Sequence, residues 1–146
     1  MTMDEIIEFV AGLDGVLTVR PAPGDGSPEI SWGDTFFYYA PDGVVPRAQP
    51  FATIVTKDYP GDDTSGLDRP DAFRVNIAAG EQEFARWTAH DPHPPADDTV
   101  TPHPVYGTAN WLAVTNPGPN ADPAVRDLLR TAHRLARTRR TRRAAL

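Results

Sequence analysis

Two runs of β-forming residues, Phe51-Ala52-Thr53-Ile54-Val55-Thr56-Lys57 and Ala72-Phe73-Arg74-Val75-Asn76-Ile77-Ala78, flank a polar segment from Asp58 to Asp71. No other feature constrains the fold as strongly. In the second run Phe73, Val75 and Ile77 alternate with Arg74 and Asn76, and the two-residue period of a strand sends the two sets to opposite faces. One face is apolar and buried, the other polar. In the first run Phe51, Ile54 and Val55 divide between the faces, so both sides are partly covered, while Thr53, Val55 and Thr56 favour the pleated state. The segment between them, with Pro60-Gly61-Asp62-Asp63, is too long and polar for a tight hairpin and reads as an exposed acidic excursion.

Upstream, Thr2 and Glu5 have capping-box spacing, and Ile6, Phe9, Val10 and Leu13 recur with helical period, which predicts a helix from about Met3 to Leu13. Val16 to Arg20 is a weak strand, and Pro21 to Pro28 a loop. Glu29 to Ser31 extends a strand that Gly33-Asp34 breaks, and Thr35-Phe36-Phe37-Tyr38-Tyr39 is an aromatic β segment with the character of an inner strand. Downstream, Phe84 and Trp87 fit a short helix over 81–88. The prolines between His90 and Pro104 impose an irregular loop. Asn110 to Thr115 is the last strand. A final helix opens with Asp122 at the N-cap and Pro123 at the first helical position. Val125, Leu128, Leu129, Ala132, Leu135 and Ala136 form its apolar stripe, with Arg126, Arg130, Arg134 and Arg137 roughly opposite. The order predicts an α+β fold: an antiparallel sheet of four to five strands with the N-terminal and C-terminal helices packed on one face. Residues 1–137 form a single domain, and 138–146 a flexible basic tail.

At 146 residues the chain is long enough for one domain with a real core. It has no cysteine, which excludes disulfides, thiolate metal sites and a Cys nucleophile. Asp4, Glu5 and Glu8 stand where a signal peptide needs basic residues, and no run approaches a membrane span, so a soluble cytoplasmic protein is expected. The net charge of −6 is unevenly spread. Residues 1–120 carry 6 basic and 18 acidic side chains, near −12, whereas residues 121–146 carry 8 arginines against Asp122 and Asp127, near +6.

No stretch carries a catalytic or cofactor signature; Gly-rich phosphate loops, Ser-His-Asp ordering, EF-hand spacing and zinc-protease helices are all missing. His90, His93 and His103, with Asp91, Asp97 and Asp98, share one loop. Their spacing matches no metal-ligand pattern, and a solvated loop explains them better, so neither metal nor cofactor is expected. Lys57, Arg74 and Asn76 share the polar face of neighbouring strands, where two cations and an amide suit a carboxylate or phosphate; a solvated face paired with Asp58 or Asp71 is the plainer account. His103, Tyr106 and Asn110 supply an imidazole, a phenol and an amide near the sheet, or simply anchor their loop. Three roles follow. The leading one is a non-enzymatic domain binding a protein partner or small ligand across its sheet face at Lys57, Arg74, Asn76, His103, Tyr106 and Asn110. The second is an enzyme with a polar cleft around Lys57, Arg74, Asn76 and His103. The third is nucleic-acid binding through the Arg-rich C-terminus, which the acidic body disfavours.

The blocks Pro50 to Asp58, Leu67-Asp68-Arg69-Pro70, Phe73 to Ile77 and His103-Pro104-Val105-Tyr106-Gly107 resemble those of a family of small actinobacterial proteins of unknown function. The single lysine beside thirteen arginines agrees with a high-GC source. That resemblance implies no activity. More distantly, the helix, sheet and terminal helix, with His103 shortly before Trp111, resemble the MmcQ/YjbR-like double-wing layout. Those proteins carry a lysine just ahead of the tryptophan, where this chain has Thr108-Ala109-Asn110.

Overall fold

Thr2 begins the first helix by accepting the Glu5 amide on its hydroxyl oxygen at 3.1 Å, which satisfies one of the amides that a helix start leaves open. The computed structural model describes residues 1–89 and 96–144. In chain order its elements are α1 (Met3–Ala11), β1 (Val16–Val19), β2 (Thr35–Tyr39), β3 (Ala52–Val55), β4 (Arg74–Ala78), α2 (Gly80–Trp87), β5 (Thr101–Pro102), β6 (Trp111–Thr115) and α3 (Asp122–Ala144). The strands form one antiparallel sheet in the order β1-β2-β3-β4-β6-β5. The two runs that flank the acidic excursion are its central pair, Thr53 opposite Asn76 and Ile54 opposite Val75.

Six strands exceed the expected four to five because β5 is a two-residue edge pairing within the proline-rich stretch, Thr101 opposite Ala113 and Pro102 opposite Leu112. An edge position tolerates the missing proline donor. Glu29–Ser31 is also not the strand extension expected. It closes as a 3-10 turn in which the Ser31 amide and hydroxyl both donate to the Pro28 carbonyl, at 3.0 and 2.7 Å.

One face of the sheet packs against α1 and α3. Phe37, Ile54, Val75, Ile77, Leu112 and Val114 from the strands meet Ile6 and Val10 of α1 and Val125, Leu128, Leu129 and Ala132 of α3 in a single core. The apolar stripes of both terminal helices are thus accounted for. Arg126 and Arg130 lie over the Phe9 ring at 5.2 and 5.1 Å, so part of the arginine face covers α1 instead of standing free. Gly80 opens α2 at φ 84°, a left-handed conformation that favours glycine, and a Cβ there would stand 2.8 Å from Leu135 Cδ1 and push that methyl aside. α3 continues through Ala144, past the point where a flexible tail is expected. Arg140 reaches back to Asp42 at 3.1 Å, and Arg137 stands 4.0 Å from Asp14.

Alternation and register leave the opposite face with its own rows: Phe36, Thr53, Asn76, Ala113 and Thr101 across five strands, and Val55, Arg74 and Thr115 beside them. No helix of the terminal pair covers this side. It is roofed by the excursion after β3 and the turn before β6.

Candidate functional site

Arg74 projects from the start of β4 onto that second face, yet it is only 2% exposed. A buried guanidinium needs its charge and its donors satisfied, and the excursion supplies most of what is required. Nη1 and Nη2 donate to the two carboxylate oxygens of Asp62 at 2.9 and 2.6 Å, and Nη1 also donates to Ser65 Oγ at 2.9 Å. Nε donates to Asn76 Oδ1 at 2.7 Å, and Asn76 Nδ2 in turn donates to Thr53 Oγ1 at 3.0 Å. The hydrogen bonds from Arg74 hold the Asp62 carboxyl below the usual carboxylate range. Two expectations are corrected here. The polar face of β4 is not solvated, since Asn76 is also 2% exposed, and Asp62 is not a free member of an exposed acidic loop.

His103 closes the cluster. It is 5% exposed, and its Nε2 lies 3.3 Å from Arg74 Nη2. On the other side of the ring, Nδ1 accepts the backbone amides of Val105 and Tyr106, both at 3.0 Å. Its edge meets the Trp111 ring at 77°, and the Tyr106 ring lies 4.9 Å away between centroids. Burial, and then the charge of Arg74, hold the imidazole down to about 4 against the opposing pull of Asp62, so it is neutral at pH 7. Between pH 6.5 and about 4 the unfolded chain binds a proton at His103 that the folded protein refuses, and stability must therefore fall as the pH drops through that window. Asp62, held below the usual carboxylate range, keeps its charge over most of that window. Thermal melts from pH 7 to 4.5 are expected to fall more steeply for the native protein than for His103→Asn. Equal slopes would show that His103 titrates alike in both states.

Arg74, Asn76, His103 and Tyr106 line one cleft of ≈ 640 Å³ with Thr53, Asp62, Tyr59, Phe36 and Trp111. Its floor is polar and its mouth apolar, with Val105 and Tyr106 among the few large exposed apolar side chains. Lys57 is not brought to it. Its Nζ donates to the Trp32 carbonyl at 2.8 Å and to Asp34 at 3.0 Å. Asp34, with a fully buried side chain, also accepts from the Thr56 amide and hydroxyl and from the Tyr59 hydroxyl. Burial, aided by Asp34, pushes the Tyr59 phenol well above its ordinary value. The expected partners Asp58 and Asp71 pair with neither cation: Asp58 accepts the Leu67 amide at 3.0 Å, and Asp71 sits at a turn with φ 58°. Asn110 is separate too. It holds a left-handed conformation at φ 65° and lines a second hollow of ≈ 470 Å³ with Arg139 and Arg143.

Of the six residues expected to bind, the structure gathers four. Thr53, Asp62, Ser65 and Trp111 join them. The acidic excursion held the signal for Asp62 and Ser65, because a buried arginine on β4 needs a carboxylate from a neighbouring segment. In the His/Asp-rich loop, His90, Asp91 and His93 lie outside the described residues. Asp97 pairs with Arg69 at 3.1 Å, and Asp98 accepts the amides of Gly118, Asn120 and Ala121, so both are engaged in holding loops. Among the described residues no helix is long and apolar enough to cross a membrane.

Fold and cleft together define a class, an α+β domain with one sheet face packed under helices and the other forming the floor of a polar-bottomed cleft. The chain belongs to a family of unknown function (DUF6194), whose members' shared pattern matches residues 1–145. No curated protein and no solved structure matches it.

Proposed function

We propose that this protein is a small, soluble, cytoplasmic binding domain that takes a small molecule into the cleft over its second sheet face. One observation carries the reading. Arg74, Asn76 and His103 are buried together at the bottom of a concave, aromatic-rimmed space, a combination typical of ligand sites. Binding is favoured over catalysis because the carboxylate and the imidazole Nδ1 at the floor of the cleft are engaged as acceptors. Asp62 is held by Arg74, and Nδ1 of His103 by two backbone amides. The actinobacterial source and the MmcQ/YjbR-like layout belong to the same reading. Arginine-dominated composition supports the first, and His103 ahead of Trp111 between terminal helices supports the second.

A fragment screen by ligand-observed NMR, followed by mapping on the ¹⁵N-labelled protein, tests the reading. Hits are expected to perturb the Trp111 indole, the Val105 and Tyr106 amides and the Asn76 side-chain amide, and to lose affinity in Tyr106→Ala. A screen without hits would contradict it, as would hits confined to the hollow beside Arg139 and Arg143.

A further inference from the structure

α3 carries eight arginines, and half of them are engaged within the protein. Arg126 and Arg130 pair with Asp122 and Asp127 and cover the Phe9 ring, Arg137 stands 4.0 Å from Asp14, and Arg140 donates to Asp42 at 3.1 Å. Among the described residues Arg134, Arg139, Arg142 and Arg143 have no carboxylate within ion-pair distance. Arg139 and Arg143 differ from the other two in position. Spaced about one helical turn apart, they line the hollow of ≈ 470 Å³ together with Gln49, Asn110 and Trp111. Glu81, the acidic residue on the wall of this hollow, pairs with neither of them. Like charges at this spacing on a helix repel, and an oxoanion held between them relieves the repulsion.

The hollow adjoins the cleft, since Gln49, Pro50 and Trp111 line both. Their charges are arranged differently. In the cleft Arg74 is matched in bidentate fashion by Asp62, so an anion placed there would lose its hydration beside an arginine already neutralised and would stand close to the Asp62 carboxylate. The Phe36, Tyr106 and Trp111 rings on its walls suit a flat apolar group instead. Unmatched positive charge begins only on the far side of Gln49 and Pro50, at Arg139 and Arg143. The two spaces together fit a molecule with unlike ends.

Resting on the binding role proposed above, we infer that the ligand is elongated, with an uncharged aromatic part beside Tyr106 and Trp111 and an oxoanion, carboxylate or phosphate, that passes Gln49 and Pro50 to reach Arg139 and Arg143. The test titrates ω-phenylalkanoates, from phenylacetate to phenyloctanoate, and their primary amides into the full-length protein at pH 7, followed by ¹⁵N and indole shifts. The longest acids are expected to bind about tenfold more tightly than their amides, the advantage of charge-assisted contacts, while phenylacetate and its amide bind alike. Arg139→Gln with Arg143→Gln, at two exposed positions outside the core, is expected to erase that advantage and leave the amides unchanged. Tyr106→Ala is expected to weaken acids and amides together. An advantage already present in phenylacetate, or one that survives the paired arginine substitutions, would overturn the inference by placing the charge elsewhere. Equal binding of long acids and amides would overturn it as well, and in each of these cases shifts at Trp111 and Tyr106 leave the binding role standing. Acids whose shifts stay in the hollow and ignore Tyr106→Ala would overturn both readings. A series that does not bind at millimolar concentration would overturn the inference alone, because the fragment screen decides the binding role independently.

Discussion

Replacing Leu129 with Asp is expected to leave no folded protein at 25 °C. Leu129 is fully buried where α3 meets the sheet, in the core that also holds Ile6, Val10, Phe37 and Ile77. Deleting a buried leucine side chain costs about 2–5 kcal/mol through lost transfer and the cavity left behind. Placing a carboxylate with no partner there adds several more. Against a typical total stability of about 5–15 kcal/mol, the sum removes the folded state. Circular dichroism and amide dispersion in NMR read the result directly. A cooperative melt within a few degrees of the native protein would mean that α3 is not docked through this stripe.

Replacing Arg74 with Met is the second large effect. The change leaves Asp62 facing a roofed cleft without its cation, withdraws the donors from Ser65 Oγ and Asn76 Oδ1, and releases the excursion that Arg74 pins to β4. Removing one partner of a buried pair costs about 3–5 kcal/mol, while replacing both partners with apolar groups is often close to neutral. The double change Arg74→Met with Asp62→Leu is accordingly expected to be more stable than Arg74→Met alone in denaturant melts. A single-variant cost under about 1 kcal/mol would show that the guanidinium is solvated and the network loose.

The alternation of Phe73, Val75 and Ile77 was enough to orient β4, and the helical spacing of Val125, Leu128, Leu129 and Ala132 enough to dock α3, because burial of an apolar set is a local property of the chain. Capping by Thr2 was legible for the same reason. What periodicity could not show was the second layer of burial. Arg74 and Asn76 read as a solvated face because their burial depends on Asp62 and Ser65, which lie some ten residues away in a segment without periodicity. Pairing was hidden likewise: Lys57 lies next to Asp58 in sequence, yet it is Asp34 that receives it, from the stretch preceding β2. The sheet's sixth strand went unseen because a two-residue pairing at Thr101 and Pro102 has no pattern of its own. His103 and Tyr106 were singled out by residue type, but the geometry that distinguishes them, an imidazole with donors at both nitrogens, exists only once the turn before β6 has folded back on β4.

That imidazole is where the account is most exposed to test. Long-range ¹H–¹⁵N correlation of the histidine rings in the native protein reports which nitrogen carries the proton. At pH 7 the His103 ring is predicted to be neutral, and to stay so down to about pH 5, consistent with an imidazole held at about 4. A charged ring at pH 7 would contradict the account, because a second cation would then stand beside Arg74 in a buried cluster whose one carboxylate, Asp62, is already paired.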